Sequence, residues 1–251
     1  MRDIGVTVLL ALVLTPLPAA AGGTAEQRKG YAYNLGTDQL LYTEEHHEHL
    51  EQGRVTRSEV VYRKPEGGII ARKRLDFRRN ASDPDFRLEN AVNGHLEGAS
   101  QEEDRLLVFF RKTEDHALKE RKLRAPDDAI IDGGFDRFIE NNWTSLMQGE
   151  VFERPFLVPS FQRFLEFRIY LERMTDTEVV FIMEPASMLL RFFGDGIVVA
   201  YDRDSTALRR YEGVSNIRDK DGENYEVRVE FPAAGQTGDV AGDSSRDRSR
   251  R

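Results

Sequence analysis

The chain contains no cysteine. That absence excludes a disulfide framework, thiolate catalysis, cysteine-ligated zinc and a lipid attached at a cysteine near the N-terminus. There is no excess of positive charge either: 36 lysines and arginines stand against 44 acidic residues, a net charge of −8. An acidic chain lacks the electrostatic footprint of a phosphate-backbone binder, so nucleic acid is not an expected partner. No serine sits in a nucleophile-elbow motif, and no glycine-rich loop has the strand-to-helix context of a dinucleotide site. Gly194-Asp195-Gly196 lacks the third glycine and leads into a strand pattern.

What is present begins at the N-terminus. Arg2 precedes apolar Ile4 to Leu14, followed by Pro16, Pro18 and the small residues Ala19, Ala20 and Ala21. This is the three-part pattern of a secretory signal, with cleavage expected near Ala21. The run is about half of the ~20 apolar residues that span a bilayer, so no transmembrane segment is expected after processing. The expected organisation is a signal over 1–21, one β-rich domain over 22–232, and a disordered tail over 233–251 made of Gly, Ser, Asp and Arg. Export without disulfides favours a bacterial periplasm. Asn80-Ala81-Ser82 and Asn142-Trp143-Thr144 match the glycosylation sequon, which has meaning only in a host that glycosylates.

From Asp38 onward, strand-like runs alternate with turn signals. Leu40 to Leu50, Val55 to Arg63 and Ile69 to Phe77 are separated by Gln52-Gly53 and Pro65-Glu66-Gly67-Gly68. Connections this short force antiparallel neighbours. Arg105 to Thr113 and His116 to Leu123 continue the pattern. Phe152 to Val158, Phe164 to Leu171, Glu178 to Met183, Ile197 to Tyr201, Leu208 to Ile217 and Tyr225 to Phe231 complete it. The stretch Phe161 to Arg168 also fits a helix, and Ser187 to Phe193 a short apolar turn or buried loop. Asp219-Lys220-Asp221-Gly222 is a hairpin signal rather than a calcium loop, because its glycine falls at the wrong position.

One segment changes period. Phe135, Phe138, Ile139, Trp143, Leu146 and Met147 recur at helical spacing, with Asp132 placed as a cap and Gly149 as a stop. The expected fold class is therefore mainly β (α+β). It is a curved antiparallel sheet or incomplete β-barrel of about ten strands, wrapped around one main amphipathic helix.

Glu45, His47 and His49 share a strand face and resemble a metal-ligand set, but a solvated strand face needs no metal and no fourth ligand is placed by the spacing. Asp115 and His116 are adjacent, so on a strand they face opposite ways. No catalytic residue, metal or cofactor is expected.

The stronger signal is distribution. Ten of the fifteen phenylalanines, the one tryptophan and four of the five methionines lie between Phe135 and Phe193. A packed core and a ligand cavity both use such residues. On the cavity reading the ligand-binding residues are Phe135, Phe138, Ile139, Trp143, Met147, Phe167, Phe181 and Met183.

The C-terminal stretch ALRRYEGVSNI over 207–217, followed by DKDGENYEVRVEF over 219–231, resembles uncharacterised secreted bacterial proteins. More remotely it is similar to the LolA and LolB family of periplasmic lipoprotein carriers. That resemblance implies an incomplete antiparallel barrel closed by helices over an acyl-chain cavity. The expected function is a non-enzymatic periplasmic carrier or binding protein for an acyl chain or other apolar ligand, such as a lipid moiety. The alternatives are an envelope adaptor that binds a partner protein, and a metal-dependent enzyme using His47 and His49.

Overall fold

The computed structural model describes residues 24–187 and 196–233. The expected signal segment, the apolar turn over 188–193 and the tail after residue 233 lie outside the described residues.

The described residues form one antiparallel sheet of fourteen strands, laid out as two meanders that meet in the middle. The first comprises β1 (Thr24–Asn34), β2 (Leu40–Glu51), β3 (Arg54–Arg63), β4 (Ile69–Asp76), β5 (Asp85–Asn90), β6 (Leu96–Glu102), β7 (Arg105–Arg111) and β8 (Lys119–Leu123). The second comprises β9 (Phe152–Val158), β10 (Arg163–Met174), β11 (Glu178–Pro185), β12 (Ile197–Asp202), β13 (Leu208–Arg218) and β14 (Asn224–Glu230). Because β1 pairs with both β2 and β14, the first and last strands lie side by side at the centre, and the free edges are β8 and β9.

Two short helices, α1 (Gly134–Asn141) and α2 (Trp143–Met147), occupy the connection between those edges. The sheet does not close. Ile130 bridges onto β9 instead: its N–H donates to the Pro155 carbonyl at 2.9 Å, and the Leu157 N–H donates back to the Ile130 carbonyl at 3.0 Å. Such a cover satisfies an edge that would otherwise invite pairing with another chain.

The tip of the β13–β14 hairpin reaches across to the first meander. Asn90 Nδ2 donates to the Arg218 carbonyl at 3.3 Å, Asn93 Nδ2 to the Asp219 carbonyl at 2.6 Å, and Lys112 Nζ pairs with Glu223 at 2.6 Å. The turn itself forms as its sequence dictates, with Asp219 Oδ1 accepting the N–H groups of Asp221 and Glu223, both at 2.9 Å, and Gly222 at φ +77°. These contacts tie the hairpin tip to the β5–β6 turn and to the residues after β7.

The expected architecture needs two corrections. There are fourteen strands instead of about ten, since β1, β5 and β6 carry weak patterns. The main helix is two pieces, because Asn142 leaves helical geometry (φ −111°, ψ 15°) and turns its amide to the Phe138 carbonyl at 2.8 Å. Nor does the Asp132 side chain cap α1 in the usual way. Gly133 is the N-cap, and Asp132 turns into a buried ion pair. At the alternative stretch, residues from Arg163 onward form strand β10, not helix.

Candidate functional site

The inner face of the sheet is assembled by register. Pairing aligns Arg28 with His46, His46 with Val60, Val60 with Lys73, Lys73 with Leu88 and Leu88 with Glu97, one row across β1 to β6. Residues two apart on a strand share a face, so Tyr42, Glu44 and Glu48 join His46 inside, while Glu45, His47 and His49 point outward. Glu45 is held there by Arg63 at 2.8 Å. His46 Nε2 lies 2.8 Å from Glu44 Oε2. His116 bonds Thr113 Oγ1 at 2.7 Å rather than Asp115. Among the described residues, no three His, Asp or Glu side chains converge to hold a metal ion.

Between this inner face and α1 lies an open-mouthed cavity of about 480 Å³. Its apolar wall includes Phe77, Phe135, Phe156, Phe167, Met183 and Val199. Its floor is polar. Lys73 Nζ donates to Asp132 Oδ1 at 2.8 Å, and their side chains are only 14% and 5% exposed. Asn216 Nδ2 donates to Asp132 Oδ2 at 3.1 Å and also to Glu97 Oε1, tying β13 to β6 and to the segment ahead of α1. Tyr42 and Ser215 share a hydrogen bond of 2.7 Å beside them.

The charges on this floor hold one another in place. Burial works to lower Lys73, but the charge and hydrogen bond of Asp132, joined by Glu44 and Glu97, raise it above the usual lysine value. Burial works to raise Glu97, yet the neighbouring His95, the Asn216 hydrogen bond and the charge of Arg218 hold it below the usual carboxylate range. His95 Nε2 stands 3.5 Å from Glu97 Oε2, so that link is electrostatic more than a full hydrogen bond. Burial also pushes the Tyr42 and Tyr62 hydroxyls well above their ordinary value, with Glu44 adding to both.

A second charged group stands at the helix side. Arg137 on α1 meets Asp136 at 3.0 Å, Glu140 at 2.8 Å and Glu48 of β2 at 3.7 Å, and the Tyr201 hydroxyl donates to Asp136 at 2.7 Å. Burial pushes Glu140 up to about 7, with Asp136 and Glu48 adding and Arg137 opposing. This cluster ties α1 to both meanders, through Glu48 on one and Tyr201 on the other.

Of the eight residues expected to bind ligand, Phe135, Phe167 and Met183 line the cavity. Phe138, Ile139 and Phe181 are buried in the cluster behind it, with Trp143 and Met147 packed against them. Trp143 meets Phe181 and Tyr201 edge-on at 5.4 and 5.7 Å, and Phe138 meets Phe152 at 5.4 Å. The aromatic concentration is thus mostly wall and support, with three members facing the space. Sequence reasoning did not find Tyr62, Lys73, Glu97, Asp132 or Asn216. The signal available for Lys73 and Glu97 was a charge at an inward strand position, flanked two residues away by Ala71 and Leu75 in one case and by Ala99 in the other.

No family model matches the chain, and no curated protein matches it. Among solved structures it is similar to a β-barrel-like protein of a domain of unknown function, DUF1849, from Brucella abortus. The two share 8% identity at a TM-score of 0.46, over 82% of this chain and 95% of the other.

Proposed function

We propose that this chain is a non-enzymatic binding protein that shelters the apolar part of a small amphiphile in the cavity between α1 and the inner face of the sheet. The observation that carries the reading is the cavity itself: about 480 Å³, open at a mouth, with an aromatic wall and a polar floor. That volume falls in the ~300–1,000 Å³ range of small-molecule sites, whose linings are mainly apolar with a few placed polar groups. Binding of this kind needs no reacting group. Each CH₂ moved from water to such a wall contributes about 0.8 kcal/mol.

A lipoprotein-carrier role is the finer form of this reading, and its support is the resemblance of the final strands together with an incomplete barrel whose open side carries helices. A periplasmic site of action is supported by the Arg2, Ile4 to Leu14, Ala19 to Ala21 pattern. Among the described residues no helix is long and apolar enough to cross a membrane.

The test is saturable binding of the fluorescent apolar probe N-phenyl-1-naphthylamine, comparing the wild type with Leu165→Trp. Leu165 is half-buried on the cavity wall, so the larger ring fills space without replacing a fully buried side chain. Binding in the wild type, weakened at least about tenfold in a variant that melts normally, supports the reading. Probe uptake that does not saturate, or that Leu165→Trp leaves unchanged, contradicts it.

A further inference from the structure

The polar groups of the cavity restrict what the other end of the occupant can be. Among the described residues, each cation lining it stands near negative charge. Lys73 is paired with Asp132, and Arg218 is set against Glu97 while its Nη1 donates to the Gly222 carbonyl at 2.8 Å. At the mouth Arg137 is paired with Asp136, Glu48 and Glu140, and the Arg28 guanidinium lies 4.6 Å above the Phe231 ring, close enough to the same acids to oppose the rise of Glu140. Among the described residues four cations line the cavity, namely Arg28, Lys73, Arg137 and Arg218. Five carboxylates, Glu44, Glu48, Glu97, Asp132 and Asp136, line it with them. A carboxylate or phosphate entering here would leave water for a wall that is already net negative, and a buried charge without its own partner is strongly disfavoured.

Apart from the buried Arg218 Nε, which has no hydrogen-bond partner among the described residues, what the floor leaves open is neutral hydrogen bonding. Tyr62 is 4% exposed, its side chain lines the cavity, and among the described residues its hydroxyl has no hydrogen-bond partner. It lies near Glu44, Asp132 and Glu97, the carboxylates that help to raise it. Among the described residues Lys73 makes one hydrogen bond, to Asp132, which leaves further N–H groups of a three-donor ammonium. Asn216 must turn its NH₂ group to two carboxylates, and this leaves its carbonyl oxygen unpartnered among the described residues. Donors and an acceptor that carry no uncompensated charge match a group that is itself both acceptor and donor.

We infer that the polar end of the occupant is an uncharged oxygen-bearing group, an alcohol or an ester with a free hydroxyl, received at Tyr62, Lys73 and Asn216. This rests on the cavity-binding reading above and narrows it to neutral amphiphiles, setting aside fatty acids and alkyl phosphates.

The experiment uses the full chain loaded with N-phenyl-1-naphthylamine and displaces the probe with four compounds that share one chain length: 1-monolaurin, laurate, dodecyl phosphate and dodecyltrimethylammonium, all below their micellar concentrations. Monolaurin is expected to displace at concentrations at least about tenfold lower than either anion or the cation. Tyr62→Phe, which keeps the ring and removes the hydroxyl, is expected to weaken monolaurin about fivefold and to leave laurate unchanged. Asp132→Asn uncovers the Lys73 charge and is expected to shift preference toward laurate by about tenfold, measured at a temperature where the destabilised variant is still folded. Laurate, dodecyl phosphate or the ammonium compound binding as tightly as monolaurin overturns the inference while the cavity reading stands. So does a Tyr62→Phe variant that treats monolaurin as the wild type does. A wild type that takes up no probe at all removes both.

Discussion

Lys73 and Asp132 carry opposite charges into a place where neither would remain alone. They are 59 residues apart in sequence and 2.8 Å apart in space, and Asn216, 84 residues further along, holds the second carboxylate oxygen. Removing one member strands the other. Lys73→Met is therefore expected to destabilise the fold by about 3–5 kcal/mol, and adding Asp132→Asn to recover a substantial part of it; denaturant melts of the single and double variants measure both. None of this network was legible in the sequence, because each residue by itself is an ordinary polar position and only the register of distant strands brings them together. That Glu45, His47 and His49 share a face was legible, since strand alternation alone decides it, whereas which side of the sheet that face lies on was not.

Glu140 gives a second prediction at this scale, with a definite sign. Burial raises it to about 7 in the folded chain, whereas an unfolded glutamate titrates near ~4.3. Between those values the folded state holds a proton that the unfolded state has lost. The contribution of this group to stability is therefore full below ~4.3 and declines as the pH rises through about 7. Glu140→Gln should remove that decline. Wild type and variant melted in parallel from pH 4 to pH 8 should diverge at the upper end, with the variant the more stable. Curves that stay parallel would show that Glu140 titrates normally.

Among the elements, those with clean alternation or a turn signal were readable, and those built around a close approach were not. β2, β3 and β4 begin and end within a residue or so of their sequence expectation. β1 and β6 escaped because each contains a glycine that reads as a breaker but serves as a gap. A Cβ at Gly30 would come within 2.7 Å of the Phe231 ring. At Gly98 it would come within 2.4 Å of the Phe86 carbonyl oxygen and 2.3 Å of the Phe109 ring. The ring beside Gly30 belongs to a side chain just past the end of β14, while the carbonyl beside Gly98 is fixed in a ladder. Gly98→Ala is accordingly expected to cost more than Gly30→Ala, by about 1–3 kcal/mol, measured as the difference between their unfolding free energies. The helix was readable as a pattern of apolar faces, but its break was not. Trp143 still packs on Phe181 and Tyr201 because a new helical turn starts at the break.

For the whole molecule, the antiparallel meander followed from the short turns, whereas the joining of first strand to last did not. No local signal announces that β1 pairs with β14, because Tyr31 to Asn34 meets Val227 to Glu230 across nearly the full length of the chain. That pairing joins the two meanders into one sheet, and the hairpin tip at Asp219 is tied back to Asn93 of the first meander. Strand pairing also sets an order of stability. Amide hydrogen exchange should be slowest in β1, β2 and β14, which are paired on both sides, and fastest in β8, which is a free edge with exposed Lys119, Glu120, Arg121 and Lys122.

The same geometry separates wall from support. Met183 faces the cavity, Met147 packs behind α2 in the core cluster, and Met174 is exposed at the end of β10. Methyl-labelled methionine therefore reports occupancy and location together. On titration with 1-monolaurin, the Met183 resonance should move and saturate at one equivalent, with Met147 little changed and Met174 still. A Met183 signal that stays in place while the amphiphile binds, or a response centred on Met174, would contradict a ligand site inside the curved sheet.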